Sequence, residues 1–174
     1  EKKPALRFSR DMFLLSFYLR GIPFVDLVHL RKTDVKHNTI YYYRHKTRQQ
    51  LSVHIESYAA QIINRYKNEA ASSPYLLLIL SLTGEDGYRQ YKSALRLYNQ
   101  HLHTLSKMLR LSIPLTSYVA RHSWATTAKD EGVAISVISE SLGHTSEKVT
   151  HVYLASFDNN ATVSYTHLRA HETE

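Results

Sequence analysis

Apolar residues along most of the chain recur at steps of three and four, which is typical of helices packed against a core. Residues 5–20 are apolar on most sides, which predicts a buried helix that ends at Gly21. Pro23 suits the first turn of a second helix. The clearest periodicity lies in residues 88–110, where one helical face carries Tyr88, Tyr91, Leu95, Tyr98, Leu102, Leu105 and Leu109.

Two neighbouring segments depart from this helical spacing. Residues 39–46 and 48–55 are rich in β-branched and aromatic side chains and flank a polar turn near Lys46. They predict a β-hairpin in which Tyr41, Tyr42 and Tyr43 alternate across a strand. Further helices are expected over residues 57–69 and from Pro114 or Thr116 to about residue 129. The predicted fold class is mainly α with a small antiparallel hairpin or sheet.

The C-terminal third contains a helix, a glycine turn and a second helix. We expect Ser136 to cap the first of these helices, Gly143 to end it, and Ser146 to cap a last helix over residues 148–157. One interpretation is a helix-turn-helix that binds DNA. However, the second helix carries few long side chains that reach bases, beyond Lys148 and His151. The other interpretation is catalytic, because a histidine lies at the turn and Tyr153 follows nine residues later.

Composition narrows the classes of protein that fit. The 174 residues are enough for one domain with a real core, and they include no cysteine, so disulfides and thiolate metal sites are excluded. No apolar run approaches the roughly 18 residues that span a membrane. A cytoplasmic protein fits both facts. The formal net charge of +7 points to a polyanionic partner, most often nucleic acid.

The separated polar residues match what attack of a tyrosine on a phosphodiester requires. Two arginines, Arg20 and Arg121, suit the negative charge that builds on the non-bridging oxygens. Lys46 can protonate the leaving alkoxide, His144 can add a hydrogen bond, and Tyr153 can form the covalent ester. Such chemistry needs no metal and no cofactor. Taken singly, each residue also has an ordinary structural explanation.

Residues 119–154, VARHSWATTAKDEGVAISVISESLGHTSEKVTHVYL, carry a specific resemblance. With FYLRG and YYYRHKT upstream, they resemble the catalytic domain of tyrosine recombinases, the phage integrase family, particularly integrases of mobile elements from Bacteroides-type bacteria. The resemblance implies that Arg20 and Arg121 clamp the phosphate and that Lys46 protonates the leaving 5′ oxygen. It also implies that His144 contacts the phosphate and that Tyr153 is the nucleophile.

Two more positions follow from the resemblance alone. Asp26 stands where the family has an acidic residue that orients the catalytic groups. Tyr118 stands three residues before the second arginine, where the family usually has histidine. A tyrosine hydroxyl can donate a hydrogen bond there, but it cannot act as an imidazole base. We therefore expect Tyr118 in the site as a hydrogen-bond donor.

The resemblance implies a site-specific recombinase that cuts and rejoins double-stranded DNA through a 3′-phosphotyrosyl intermediate. It further implies a tetrameric synapse of the full-length protein on DNA, in the bacterial cytoplasm with the nucleoid. The segment around Arg121 favours an integrase over a type IB topoisomerase, which shares this chemistry. A DNA-binding module without catalysis is the alternative from another class, and it gives Arg20, Lys46 and Tyr153 no role.

Both ends of the chain look incomplete. The resemblance covers residues 1–162, and the family's N-terminal core-binding domain is missing. Residues 163–174 begin with VSYTHLRAHET, a translation of the adapter used in transposase-made sequencing libraries. We expect this tail to be foreign. It holds one arginine and two glutamates, so the basic character belongs to the rest of the chain.

Overall fold

The expected mixture of helices and one small sheet is confirmed in the computed structural model, which describes residues 3–156. The sheet has the strand order β1-β2-β3 and is antiparallel throughout. The elements are α1 (Pro4–Tyr18), α2 (Phe24–His29), β1 (Val35–Lys36), β2 (Thr39–Tyr43), β3 (Gln50–His54), α3 (Ser57–Arg65), α4 (Gly84–Met108), α5 (Val119–Asp130), α6 (Ile135–Leu142) and a last helix, α7 (147–156).

Helix α1 organises the core because it packs against α3, α4 and α5. Its buried side chains are Leu6, Ser9, Asp11, Met12, Leu15 and Ser16. The polar members of this set are hydrogen-bonded, as buried polar groups must be to avoid a desolvation cost. Ser9 bonds the His101 ring at 2.9 Å, and Ser16 donates to the Ile22 carbonyl at 2.6 Å.

The hairpin lies where the sequence predicts it, with a third short strand at its edge. Tyr42 pairs with Leu51, and the two side chains are buried, whereas Tyr41 and Tyr43 face solvent. This is the alternation expected of a half-buried strand. Strand β1 was not predicted, because two residues are too short to show a period.

Some predicted boundaries were wrong. Helix α5 begins at Val119 rather than near residue 114, because the preceding segment makes other bonds. The Ser117 N–H donates to the Asn99 side chain at 2.7 Å, and the Val119 N–H closes a turn on the Thr116 carbonyl. Ser136 lies inside the first turn of α6 rather than capping it.

Other sequence expectations were met in part. Ser146 accepts a bond from the Val149 N–H at 3.4 Å, as expected of a capping serine, and Gly143 ends α6 with φ +62°. On α4 the apolar stripe is buried at Tyr98 and Leu102. Its ends are exposed at Tyr88 and Leu109, because α4 extends beyond the core. Residue 157 and the suspected foreign tail lie outside the described residues.

None of the helices within residues 3–156 is both long enough and apolar enough to cross a membrane.

One buried carboxylate ties α1 to α3. Asp11 accepts hydrogen bonds from Arg65 at 2.5 Å and from the Tyr66 hydroxyl at 2.7 Å, and Arg10 adds an ion pair at 2.7 Å. Burial alone would raise the pKa of Asp11, but the hydrogen bonds from Tyr66, Arg10 and Arg65 outweigh it, so the pKa lies below its usual value.

We expect Asp11→Asn to lower the free energy of unfolding by about 1–3 kcal/mol at neutral pH, since it weakens three charge-assisted bonds. A carboxyl with a depressed folded pKa stabilises above the unfolded pKa and loses this effect in acid. The deficit should therefore shrink as the pH falls below about 4. Urea unfolding across this pH range measures it. Arg10→Gln removes only the most exposed partner and should cost about 0.5 kcal/mol or less; an equal loss in both variants would contradict the prediction.

Candidate active site

Arg121 is the centre of the candidate site, and its side chain is almost fully buried, at 2% exposure. Arg121 lies in the first turn of α5. Its Nη1 donates to the Gly21 carbonyl at 3.0 Å, and its Nη2 donates to the Leu142 carbonyl at 2.5 Å. The Gly21 carbonyl lies in the segment that follows α1, and the Leu142 carbonyl belongs to the last residue of α6. One guanidinium therefore joins three helices at a single point.

The charge of Arg121 is held without a carboxylate. Within residues 3–156 no acidic side chain forms an ion pair with it. Its two acceptors are carbonyls, and that of Leu142 lies at the C-terminus of α6, where the helix dipole favours a cation. Burial, with the nearby positive charge of Arg44, lowers the pKa of Arg121 to about 10, so it remains charged at neutral pH. A buried and uncompensated cation is suited to binding an anion.

Gly21 is the position that lets Arg121 come this close. It follows α1 with φ +68°, and its N–H donates to the Ser16 carbonyl at 2.8 Å, which closes the helix end. A Cβ on Gly21 would lie 2.8 Å from the Arg121 Cα. The glycine therefore serves two requirements: a left-handed backbone and contact with the arginine.

His144 lies at the turn between α6 and α7, beside Arg121. Its Nε2 is 3.4 Å from the Arg121 Nη2, and its Nδ1 is 2.9 Å from the Thr150 hydroxyl. Burial and the positive charges of Arg121, Arg44 and Lys46 lower the pKa of His144 to about 4. The ring is therefore neutral at physiological pH, with Nε2 accepting from Arg121 and Nδ1–H donating to Thr150.

Tyr153 projects from α7 into the same cluster. Its ring stacks on that of His122, with centroids 5.0 Å apart, and meets the rings of His144 and Tyr118 edge-on at 5.3 and 6.1 Å. Burial raises the pKa of Tyr153 well above its usual value, the neighbouring Tyr118 raises it further, and the positive charge of Arg121 opposes the rise. Its resting form is the neutral phenol.

Tyr118 closes the cluster on the solvent side. It directly precedes α5, and its ring meets that of His122 edge-on with centroids 4.2 Å apart. Half of its surface, 52%, is exposed. The structure thus brings Tyr118, Arg121, His144 and Tyr153 together, as the sequence predicts.

Arg20 and Lys46 approach this cluster without a direct side-chain bond to it within the described chain. Arg20 is exposed, has φ +56°, and lines a cleft beside β3 and α6. Its charge is among those that act on the buried Tyr42 hydroxyl. Lys46 is exposed in the hairpin turn, and its charge contributes to the low pKa of His144. Both are placed at the rim of the cluster.

Asp26 is buried under the hairpin rather than in the cluster. One carboxylate oxygen accepts from the His45 N–H at 2.9 Å and lies 3.2 Å from the His45 ring. The other lies 3.5 Å from the Arg44 Nε. Asp26 therefore holds the two residues that precede Lys46, which agrees with the orienting role that the resemblance implies.

Sequence reasoning missed three residues near the cluster: His122, Thr150 and Arg44. His122 follows Tyr118 by four residues, and side chains at that spacing share a helix face, which is the signal that could have found it. Thr150 has no signal apart from the fold. Arg44 was detectable, because Ile40, Tyr42 and Arg44 follow the period of a strand's inward face, where a charged residue is unusual.

We expect Gly21→Ala to destabilise the fold more than an alanine at an equally left-handed but open glycine. Gly132 provides this control, since its φ is +78° and nothing lies within 4 Å of an added Cβ. The backbone penalty of about 1–2 kcal/mol applies to both variants. The contact with Arg121 should add roughly 1–3 kcal/mol at Gly21. Equal losses in urea unfolding would show that the close approach has no cost.

The fold is similar to those of solved recombinases. It matches XerA recombinase with a TM-score of 0.61 and 19% identity, over 94% of this chain and 63% of that one. It matches a lambda integrase (75–356) dimer bound to a COC′ core site with a TM-score of 0.62 and 15% identity, over 88% and 53%. For XerH site-specific recombinase bound to difH substrate the values are 0.60 and 15%, over 88% and 44%.

This chain thus spans between 44% and 63% of the length of these neighbours. Comparison with curated proteins finds no match. The sequence model of the phage integrase family matches residues 6–160, which is most of the chain. The chain therefore belongs to the phage integrase family.

Proposed function

We propose that this chain is the catalytic domain of a site-specific DNA recombinase that cuts and rejoins strands through a covalent 3′-phosphotyrosyl intermediate. One observation carries the proposal: Tyr153 packs in one cluster with His144 and the buried Arg121, a cation that lacks an acidic partner in the described chain. A nucleophile and an anion-binding group are thus adjacent. Membership of the family favours the same chemistry.

The partner we propose is double-stranded DNA. A lambda integrase dimer bound to a core site and XerH bound to its difH substrate share this fold. The net charge of +7 would add salt-sensitive attraction to the phosphate backbone. For the full-length protein we propose a tetrameric synapse on DNA within the cytoplasm.

In the proposed first step, the phenolic oxygen of Tyr153 bonds to phosphorus as the bond from phosphorus to the 5′ oxygen breaks. Arg121 and Arg20 stabilise the negative charge that builds on the non-bridging oxygens. Lys46 gives a proton to the leaving 5′ oxygen. A 5′ hydroxyl from the partner duplex then attacks the phosphotyrosine, which restores Tyr153 and joins the strands.

Tyr153 must lose its own proton during this step, because its resting form is neutral. The neighbouring side chain that carries a hydroxyl is Tyr118, whose ring meets that of Tyr153 edge-on and which is half exposed. We propose that Tyr118 accepts the proton and passes its own to solvent water. His144 is less suited, since its Nε2 faces Arg121 and its Nδ1 faces Thr150. A hydroxyl relay thus takes the position where the family usually has histidine.

The helix-turn-helix interpretation is less well supported. A recognition helix needs long polar side chains on its free face. The exposed face of α7 includes Val149 at 44% and Val152 at 65% exposure.

A type IB topoisomerase activity predicts relaxation of supercoiled plasmid with no sequence preference, which a plasmid without a target site tests directly.

We expect Tyr153→Phe to abolish covalent attachment to DNA, since it removes the attacking oxygen. Because the target sequence is unknown, the substrate is a library of nicked duplexes with a random segment. Adducts are recovered under denaturing conditions, and mass spectrometry of the nuclease-treated peptides identifies the modified residue. An adduct that persists in Tyr153→Phe would exclude Tyr153 as the nucleophile.

Two variants separate the roles of the neighbouring groups on a target recovered in this way. Arg121→Ala should slow adduct formation by about 100-fold or more, the effect of losing a group that stabilises transition-state charge. Tyr118→Phe should slow it by only about 10-fold, since water can replace a relay. If Tyr118→Phe were as inactive as Tyr153→Phe, the relay would be the wrong description of Tyr118.

A further inference from the structure

Arg44 is a buried arginine, 8% exposed, that follows the last residue of β2. Its backbone is fixed within the turn: the Arg44 N–H donates to the Gln49 carbonyl at 2.9 Å, and the Arg48 N–H donates to the Arg44 carbonyl at 2.8 Å. The side chain follows Ile40 and Tyr42 on the inward face of the strand. The hairpin therefore directs a cation towards the protein interior.

The guanidinium of Arg44 is only partly neutralised. Its Nε lies 3.5 Å from an Asp26 carboxylate oxygen, and neither atom has a hydrogen-bond partner among the described residues. The other Asp26 oxygen already serves His45. A buried charge with one long ion pair is costly unless something else requires it. The charge of Arg44 also acts on Arg121 and His144.

The stem of Arg44 packs against the turn that carries His144. A Cβ built on Gly143 would lie 3.0 Å from the Arg44 Cδ and 3.1 Å from a methyl of Leu51. The Thr47 hydroxyl donates to the Gly143 carbonyl at 3.2 Å. The hairpin and the glycine turn are therefore in contact through two residues that flank Lys46.

We propose that Arg44 is a positioning residue of the recombinase site. Anchored on Asp26 and packed on Gly143, it fixes the hairpin against the α6–α7 turn, so that Lys46 is held beside His144. Its charge also contributes, after burial and Arg121, to the low pKa of His144, whose Nε2 accepts from Arg121. This role rests on the proposed function for its catalytic meaning, but its structural part can be tested without DNA.

The charge effect on His144 has several sources, and each must be considered. Arg121 faces the ring from α5, and Arg44 and Lys46 act from the hairpin. The groups from α7 are Thr150 and Tyr153, which are uncharged. Because a neighbouring cation disfavours the imidazolium, removal of any one of the three cations must raise the pKa of His144.

We expect Arg44→Met to raise the titration midpoint of His144 by about one unit from its value near 4, the effect of one cation lost from a half-buried site. The measurement is an NMR titration of ring-labelled histidine, with the His144 signal identified by its loss in His144→Gln. Arg48→Met is the matched control, since it removes a charge from an exposed residue of the same turn. Its midpoint should stay within about 0.2 units of wild type.

A native-like spectrum with an unchanged His144 midpoint in Arg44→Met would overturn the proposal. Arg44→Lys provides a second test that keeps the charge and therefore the fold. Its midpoint should remain low. Its single-turnover rate of DNA cleavage should fall by about 10-fold, because a lysine lacks the longer, planar guanidinium group of arginine. Its DNA affinity should change little. Wild-type cleavage by Arg44→Lys would also overturn the positioning role.

Different results would contradict the recombinase function and the positioning role of Arg44. If wild-type protein formed no adduct with any duplex, the recombinase function would fail, while the histidine titration would still decide whether Arg44 acts on His144. If the adduct formed and neither Arg44 variant differed from wild type, the function would stand and the role of Arg44 would not.

Discussion

The hydrogen bonds from Arg121 to the ends of two helices are the interaction on which the candidate site depends. A guanidinium presents donors in a rigid fork, and here that fork reaches the Gly21 carbonyl beyond α1 and the Leu142 carbonyl at the end of α6. The Leu142 carbonyl is one of the acceptors that a helix end leaves without an intrahelical partner. Satisfying both carbonyls from one side chain fixes α1, α5 and α6 together, which is why the backbone around Gly21 admits no Cβ.

This arrangement leaves the positive charges of Arg121 and Arg44 in a buried site. Carbonyl dipoles stabilise Arg121 but do not cancel its charge, and Asp26 compensates Arg44 only across 3.5 Å. Arg20 and Lys46 add two more cations at the rim. Burial, together with repulsion from Arg121, lowers the pKa values of His122 and His144, and repulsion from Arg44 and Lys46 adds to the effect at His144. An arriving phosphate monoanion relieves this repulsion, and the additional charge of its transition state relieves it further.

The sequence was informative where one residue type is needed at one spacing, and silent where contacts form between distant segments. Gly143 and the inward face of β2 were predictable, because a left-handed turn and a two-residue period leave local signals. The start of α5 was not predictable from the sequence. The Ser117 N–H donates to the Asn99 side chain of α4, and the helix begins only after that residue. The position of Asp26 beneath the hairpin was not predictable either, because it depends on a contact between separate segments. Its bond to His45 spans 19 residues that no periodicity connects.

The state of Tyr153 explains why the surrounding groups must act together. Packing among aromatic rings and burial raise its pKa, so a phenolate is not stored in the resting site. In the proposed mechanism, attack therefore requires proton loss as the bond to phosphorus forms, and the two neighbouring imidazoles among residues 3–156 are poorly placed to accept the proton: His144 is engaged at both nitrogens, and His122 presents its ring face. The half-exposed Tyr118 is the route that we propose. A tyrosine can then replace the family's usual histidine, because the position needs a path to water more than it needs a base.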